Sequence, residues 1–370
     1  MKLFSPIKMG QLELSNRIAM APMTRARVNN EFDAADDDTA IYFAQRASAG
    51  LLITEGSQIS KQGQGFLFIP GIYNEEQVKG WQKTTQAVHD KGGKIFIQIW
   101  HVGRMSHTSL QPNNQAPVSS VAEKANGTCF AYDAQGNAGK VEVSEPTALT
   151  LEGIKAIKQD YVNAAKNAIR AGFDGVEIHG ANGYLLEQFI NAGLNTRDDQ
   201  YGGQTIENRL RLTLEVVDEI AAAIGSEKTA IRVAPFGRFS DMHAFEGEEE
   251  TWLTLGDELN KRNLAYVHLS EQGTIGDVFT IPEGFTGKFR EHYQGIIMIA
   301  GGFDKQSAEE YLQRGDVDMV AFGRPYIGNP DLVERLQNDW PLVEADRAIF
   351  YGGDSHGYID FPAYQPEHAE

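Results

Sequence analysis

Three polar side chains of different chemistry fall within six residues of one predicted turn. Residues 175–189 read GVEIHGANGYLLEQF, in which an apolar run ends at His179 and a helical pattern begins near Leu185. The imidazole of His179 and the carboxamide of Asn182 can donate hydrogen bonds to a carbonyl oxygen, and the phenol of Tyr184 can deliver a proton beside it. A strand-end histidine alone is as often an ordinary loop residue. The combination favours a site that polarises a carbonyl compound and protonates it.

Eight repeats of one strand–helix unit would position this turn. The predicted strands span residues 17–21, 51–55, 94–100, 175–179, 229–234, 266–270, 295–300 and 319–323. The predicted helices span residues 39–49, 75–91, 151–171, 207–224, 249–261, 305–314 and 330–336, with a weaker one within 282–293. Alternation of this kind predicts a parallel sheet, and eight units predict an α/β fold closed into a single (β/α)8 TIM barrel. A doubly wound open sheet is the alternative, but it usually needs fewer units.

Two stretches depart from the repeat. Residues 4–14 alternate around Gly10 and predict an N-terminal hairpin. Residues 101–148 are rich in Gly, Asn and Ser and have no helical period, so we expect a partly ordered, lid-like insertion after the third strand. No linker divides the chain, and we expect one domain over residues 1–370.

Composition excludes several classes of function. The 370 residues are 41% hydrophobic, and the net charge of −18 makes nucleic acid and anionic membranes poor partners. The one cysteine, Cys129, cannot form an internal disulfide or hold an iron–sulfur cluster. The sequence shows no secretion signal and no apolar run of about 18 residues, so we expect a cytoplasmic protein.

Residues just beyond the strand ends face the active site of a barrel. Gly301-Gly302 and Gly323-Arg324 follow the seventh and eighth strands, where backbone N–H groups and a guanidinium can hold a phosphate. Gln98 and Arg232 are polar residues inside apolar strands, where each needs a partner or a ligand. Together they suit a flat, hydrogen-bonding, partly anionic cofactor. FMN fits, with its phosphate at the glycine turns and its pyrimidine edge at Gln98 and Arg232.

The chain resembles the Old Yellow Enzyme family of FMN-dependent ene-reductases over nearly its whole length. The resemblance is carried by NRIAMAPMTR at 16–25, QIWHVGR at 98–104, HGANGYLLEQF at 179–189, NTRDDQYGG at 195–203 with ENR at 207–209, and GRP at 323–325. The third and fourth segments are the most specific. Thr24 stands where another branch of the family carries Cys, so the chain looks like the classical branch.

The resemblance implies a noncovalent FMN and a set of roles. Residues expected to bind FMN are Pro22, Met23, Thr24, Gly56, Gln98, Arg232, Gly302, Gly323 and Arg324. His179 and Asn182 would bind the activating oxygen of the substrate, and Tyr184 would be the proton donor. Phe66, Trp100 and Tyr351 would form the apolar wall of the substrate pocket. No metal is expected.

The implied reaction is the reduction of an activated alkene. NADPH or NADH would reduce FMN, which would pass hydride to the β-carbon of an enone, enal, maleimide or nitroalkene, while Tyr184 protonates the α-carbon. The partner would be a small electron-poor alkene, and the enzyme a monomer or a homodimer. Reduction of nitro compounds or nitrate esters is an alternative on the same scaffold.

Other classes remain as weaker alternatives. A glycosidase could use Glu55, Glu177 and Glu271, which lie in or near strands. A metal hydrolase could use histidines at strand ends, and the candidates are His101, His179 and His268. A non-catalytic flavin-binding protein would need the cofactor residues but not the trio in the turn.

Overall fold

The computed structural model describes residues 1–271 and 281–366. In chain order its strands are β1 (Ile7–Met9), β2 (Leu12–Leu14), β3 (Ile18–Met20), β4 (Leu51–Ile53), β5 (Ser57–Gln58), β6 (Ile95–Trp100), β7 (Val118–Ser119), β8 (Thr128–Tyr132), β9 (Ala138–Glu142), β10 (Thr147–Ala148), β11 (Gly175–Gly180), β12 (Thr229–Val233), β13 (Val267–Ser270), β14 (Ile297–Ala300) and β15 (Met319–Phe322). The helices are α1 (Asp37–Gln45), α2 (Glu75–His89), α3 (Leu151–Arg170), α4 (Leu185–Ile190), α5 (Ile206–Ile224), α6 (Glu248–Asn260), α7 (Phe285–His292), α8 (Lys305–Arg314), α9 (Pro325–Gly328) and α10 (Leu332–Asn338).

Eight parallel strands close into a barrel. Their order is β3-β4-β6-β11-β12-β13-β14-β15, and β15 pairs with β3 to complete the ring. These strands are buried over their whole length, as expected where a barrel interior covers one face and helices cover the other. The predicted (β/α)8 barrel is confirmed, and each predicted barrel strand agrees with the structure to within two residues at either end.

Helix starts are set by side-chain caps. Asp36, Asn74 and Asp304 form capping boxes at the starts of α1, α2 and α8, while Thr150 and Thr205 cap α3 and α5. The largest difference from prediction is at α1, which ends at Gln45 rather than at residue 49. The next residue, Arg46, leaves helical geometry and donates from its buried guanidinium to the carbonyl oxygens of Tyr326 and Ile327.

The predicted N-terminal hairpin closes one end of the barrel. β1 and β2 pair antiparallel around Gly10, whose φ of +57° suits a glycine. Met9 and Leu14 are buried with Leu51, Tyr266 and other residues from the amino ends of the barrel strands. The hairpin therefore leaves the carboxyl ends of the strands, where the candidate site residues are expected, uncovered.

The insertion after β6 is built from two small sheets. β7 pairs in parallel with β10, and β8 and β9 form an antiparallel hairpin. Along β8 every second residue is buried, and Cys129 and Ala131 pack in one cluster with Trp100. The insertion therefore covers one side of the barrel mouth, and its action as a lid stays a prediction.

Within the described residues, no helix combines the length and apolar character needed to cross a bilayer.

We predict that Leu14→Ala lowers the free energy of unfolding by about 2–5 kcal/mol, because it removes a buried side chain from the barrel interior. Chemical denaturation of the whole chain would measure this, with Lys8→Ala on the exposed face of β1 as the control. An unchanged unfolding midpoint for Leu14→Ala would contradict our expectation that the hairpin and the barrel form one domain.

Candidate active site

The turn after β11 has a backbone shape that depends on one glycine. Asn182 and Gly183 both adopt the left-handed region, with φ of +60° and +75°. A Cβ on Gly183 would lie 2.4 Å from the carbonyl oxygen of Phe239, so no larger residue fits. The turn directs Tyr184 back over the end of the strand that carries His179, which brings the predicted trio together.

Four rings form an aromatic cluster at the barrel mouth, consisting of Phe66, Trp100, His179 and Tyr184. The Trp100 indole stacks on the His179 ring at 5.6 Å between centroids and at 6° between planes. Tyr184 packs edge-on against Trp100 at 4.7 Å and against His179 at 5.0 Å. Phe66 also stacks on Trp100, at 6.0 Å between ring centroids. The predicted proton donor thus lies against the predicted pocket wall.

His179 is a neutral hydrogen-bond donor. Burial, and then the charge of Arg232, lower its pKa well below the usual value. Its Nδ1 accepts from the backbone N–H of Ala181 at 3.4 Å, so the ring proton of the neutral form belongs on Nε2. The ring can therefore donate from Nε2 to a ligand oxygen.

Tyr184 keeps its proton at neutral pH. Burial raises the pKa of its phenol, the nearby phenol of Tyr351 raises it further, and the charge of Arg232 opposes this shift only in part. Tyr184 can therefore serve as a proton donor next to His179, which can donate a hydrogen bond.

The carboxamide of Asn182 is oriented through a hydroxyl. Arg232 Nη2 donates to Ser270 Oγ at 3.1 Å, and this hydroxyl donates to Asn182 Oδ1 at 3.4 Å. Because the amide oxygen accepts from Ser270, the amide NH2 group is directed elsewhere and can serve as a donor.

Gln188 ties the turn to the loop after β6. Its Nε2 donates to the carbonyl oxygens of Gly183 and Val102 at 2.8 and 3.1 Å, and its Oε1 accepts from Arg104 N and Ser119 Oγ. Gln188 is fully buried, so a single side chain fixes the strand-end turn relative to the insertion.

The residues predicted to hold the flavin ring fit such a group. Arg232 is 9% exposed, and its Nε lacks a hydrogen-bond partner among the described residues. Gln98 donates from Nε2 to Glu177 at 2.8 Å, which leaves its Oε1 as an acceptor. A buried cation with an unused donor and an amide with an unused acceptor suit a ring edge on which N–H and C=O groups alternate.

The residues predicted to hold the phosphate and the other edge of the ring line the opposite side of the mouth. Gly302 is exposed with φ of +72°, and Arg324 is exposed at the start of α9. A Cβ on Gly323 would lie 3.5 Å from Met23 Sδ, so the turns after β15 and β3 adjoin. β3 is followed by the buried Ala21 and then by three half-buried residues, which are Pro22, Met23 and Thr24.

Gly56 leaves space for the indole. A Cβ at this position would lie 2.7 Å from Cδ2 of Trp100, closer than any side chain tolerates. We expected Gly56 to line the cofactor ring. Within the described residues, the side chain nearest to Gly56 is Trp100, which stacks on His179.

Tyr351 lies on a segment held by two arginines, Arg25 and Arg27, which we call the arginine clamp. Within the described residues their guanidinium groups donate to backbone carbonyl oxygens, and the acceptors belong to Ile349, Phe350, Asp354, His356 and Gly357. The side chain of Tyr351 is 65% exposed, and Gly352 N donates back to the carbonyl oxygen of Arg25. Sequence patterns gave no sign of the clamp.

The glycosidase interpretation does not suit the geometry. Both oxygens of Glu177 accept hydrogen bonds, from Gln98 and His268, and its side chain is completely buried. Glu55 accepts from the backbone N–H groups of Arg25 and Ala26, and burial raises its pKa to about 7. Two of the three candidate carboxylates, Glu55 and Glu177, are therefore hydrogen-bonded within the protein rather than facing a sugar.

The geometry of the histidines does not suit the metal-hydrolase interpretation either. His101 is fully buried, and burial lowers its pKa to about 3. Across residues 1–271 and 281–366, no group of three or more His, Cys, Asp or Glu side chains is arranged to hold a metal ion.

Glu187 supports the turn from within α4. Its Oε2 accepts from the backbone N–H of Gly183 at 2.8 Å, although the side chain is only 2% exposed. Burial, helped by the charge of Glu248, raises the pKa of Glu187 to about 8, while the hydrogen bond from Gly183 opposes the shift. The helical pattern after Tyr184 did not single out this residue, because a carboxylate early in a helix is ordinary.

Comparisons with known proteins find a matching family model and similar enzymes. The family model described as NADH:flavin oxidoreductase / NADH oxidase matches residues 2–342. The chain is 42% identical over 369 residues to 12-oxophytodienoate reductase 1 of rice, Oryza sativa subsp. japonica, and the match covers 97% of this chain and 92% of that protein.

Solved structures are similar over the whole chain. A structure of morphinone reductase in complex with tetrahydroNAD is 43% identical with a TM-score of 0.94, and the match covers 100% of this chain and 99% of that one. A structure of the Old Yellow Enzyme homologue from Zymomonas mobilis is 37% identical with a TM-score of 0.92, covering 98% and 100% of the two chains.

We predict that Glu187→Gln makes the protein more stable than the wild type at alkaline pH but not at pH 5. The folded state keeps the Glu187 proton up to about pH 8 and the unfolded chain releases it near its usual pKa, so the wild type loses stability across that window. The difference should grow by about 1.4 kcal/mol for each pKa unit. Denaturation at pH 5 and pH 9 measures it, with Glu152→Gln, on the exposed start of α3, as the control. An equal difference at both pH values would contradict the assignment.

Proposed function

The chain belongs to the NADH:flavin oxidoreductase / NADH oxidase family, within which it is an Old Yellow Enzyme, and from this premise we propose which of its residues carry out the reaction. It is an FMN-dependent oxidoreductase that takes electrons from NAD(P)H and acts on activated C=C bonds. Bound FMN supplies the hydride chemistry that links the nicotinamide to the alkene. The protein supplies binding, orientation and a proton.

We assign the cofactor site to the two sides of the barrel mouth. Gln98 and Arg232 meet the hydrogen-bonding edge of the ring, and the turns after β14 and β15 meet the phosphate. The support is the Nε of Arg232, which has no hydrogen-bond partner among the described residues, and the exposed, glycine-containing turns near Arg324. The remaining cofactor contacts are Pro22, Met23, Thr24, Gly56, Gly302 and Gly323.

The substrate site is the aromatic cluster together with Asn182. His179 Nε2–H and the amide NH2 of Asn182 bind the oxygen of the activating group and stabilise the negative charge that develops there. Tyr184 gives its proton to the α-carbon. One observation carries this assignment: a neutral imidazole and a protonated phenol lie 5.0 Å apart between ring centroids beside an oriented carboxamide.

The pocket wall is formed by Phe66, Trp100 and Tyr351, which favour small, flat, electron-poor alkenes. We propose that the nicotinamide of NADPH or NADH occupies the same face before the alkene does. One of the similar structures holds a nicotinamide analogue, since it is morphinone reductase in complex with tetrahydroNAD. We also propose that the enzyme is cytoplasmic and that it is a monomer or a homodimer.

We predict that the purified protein shows flavin absorption bands that bleach anaerobically with NADPH and return with cyclohexenone. Absorption spectroscopy in an anaerobic cuvette tests cofactor, donor and reaction class in one titration. Bands that bleach with NADPH but are not restored by any activated alkene would contradict the proposed substrate class. A colourless protein that FMN cannot reconstitute would contradict the cofactor site.

We predict that Tyr184→Phe leaves flavin reduction by NADPH within about twofold of the wild type and slows alkene reduction by about 10²–10⁴-fold, because only the second half-reaction needs the proton. Stopped-flow measurement of the two half-reactions separates the effects. Tyr132→Phe, on the exposed face of β8, controls for the loss of a hydroxyl. An equal loss in both half-reactions would argue against the proton-donor role.

A further inference from the structure

A buried carboxylate lies below the substrate site, and the roles above do not use it. Glu177 is fully buried on β11. Its Oε1 accepts from Gln98 Nε2 at 2.8 Å, and its Oε2 is hydrogen-bonded to His268 Nδ1 at 2.8 Å. Side chains from β6, β11 and β13 thus form one set, which we call the Glu177 network: Gln98, Glu177 and His268.

The network spans the barrel interior because a small residue leaves room. Glu177 is the register partner of Gln98 on β6 and of Ala230 on β12. Ala230 has no atoms beyond Cβ, so Glu177 can reach past β12 to His268 on β13. All three members of the network are less than 3% exposed.

The protonation state follows from the surroundings. Burial alone would raise the pKa of Glu177, but the hydrogen bonds that it accepts from His268 and Gln98, together with the positive charge of Arg232, hold it below the usual value. Burial lowers the pKa of His268. An ionised carboxylate next to a neutral imidazole requires the ring proton on Nδ1, so His268 is a neutral donor to Glu177.

This state fixes the amide of Gln98. A carboxylate accepts hydrogen bonds and donates none, so the NH2 end of the amide must face Glu177. The oxygen of Gln98 therefore points away from Glu177 and presents an acceptor. If Glu177 were uncharged or absent, either end of the amide could face the ligand, and a ring N–H would lose a defined acceptor.

The same charge balances Arg232. The guanidinium stays protonated in the buried site. Among the neighbouring groups that favour its charged form, the Glu177 carboxylate has the largest effect. One negative and one positive charge then lie in the barrel interior. A cofactor that gains negative charge on reduction is stabilised by Arg232 and destabilised by Glu177.

We propose that Glu177 is a positioning residue of the cofactor site, which fixes the Gln98 amide oxygen towards a ring N–H of FMN and, by offsetting Arg232, limits how strongly reduced FMN is favoured over oxidised FMN. This inference rests on the proposed roles of Gln98 and Arg232 as cofactor ligands.

Glu177→Gln keeps the shape of the side chain and removes its charge. We predict that the midpoint potential of bound FMN rises, because Arg232 is no longer offset. A tenfold gain in the preference for the reduced form corresponds to about 30 mV for a two-electron couple. Spectroelectrochemical titration of the FMN-loaded protein measures the shift. An unchanged or lowered potential would overturn the charge-balancing role.

Glu177→Asp keeps the charge but withdraws the carboxylate from Gln98. We predict that the dissociation constant for FMN rises about tenfold, as expected for the loss of a hydrogen bond to a charged group, while the potential stays near that of the wild type. Fluorescence titration of the apoprotein with FMN measures the affinity. In a Gln98→Ala background the effect of Glu177→Asp on affinity should disappear. An equal effect in both backgrounds would overturn the positioning role.

His268→Asn is the matched control, because its carboxamide NH2 can replace the Nδ1–H donor while the charge of Glu177 is kept. A potential that shifts as far in His268→Asn as in Glu177→Gln would mean that repacking, not charge, is responsible, and would overturn the proposal. The wild type separates this failure from a wider one. If the wild-type apoprotein binds no FMN, the cofactor site itself is wrong, whereas normal binding with an unshifted Glu177→Gln potential rejects only the role of Glu177.

Discussion

The seam between β6 and β11 is the contact on which the site depends. Pairing of these strands joins the first half of the barrel to the second, and it sets Gln98 opposite Glu177. Just beyond the same seam, Trp100 from β6 stacks on His179 from β11. Without this pairing, Gln98 and Trp100 would lie at one edge of an open sheet, and Glu177 and His179 would lie at the other edge. The parallel direction of all eight strands then places every strand end at one mouth.

Burial divides the site into two electrostatic layers. In the upper layer, desolvation keeps His179 and Tyr184 uncharged, so they form a neutral imidazole and a protonated phenol rather than an ion pair. In the lower layer, Glu177 and Arg232 remain charged because each is close to the other and to further polar groups. Ser270 connects the layers, since it accepts from Arg232 and donates to Asn182. A change of charge in the lower layer can therefore affect Asn182, the proposed ligand of the substrate oxygen, through the Ser270 hydroxyl.

The sequence was sufficient to predict the barrel and to place the candidate site residues near its strand ends, because both predictions rest on local signals. Apolar runs marked the strands, and residues just beyond the runs marked the mouth. Contacts between distant parts of the chain left no such signal. The arginine clamp joins Arg25 and Arg27 to carbonyl groups more than 320 residues away, and backbone carbonyls carry no sequence pattern. The two-residue spacing of Glu177 and His179 on one strand indicated that both face the same side. It did not indicate that the Glu177 carboxylate would be bound by the other two members of the Glu177 network.

The arginine clamp has a consequence for how the pocket wall can change. Its acceptors are main-chain oxygens, so the path of the segment around Tyr351 depends on Arg25 and Arg27 and hardly on the side chains that the segment carries. Arg25 also lies over the rings of Tyr42, on α1, and Tyr358, so the clamp is also held against α1. Tyr351 is exposed on this segment, and its phenol raises the pKa of Tyr184 through an electrostatic interaction. A pocket wall built in this way can exchange its side chains, and with them its substrate preference, while the segment that carries them keeps its place.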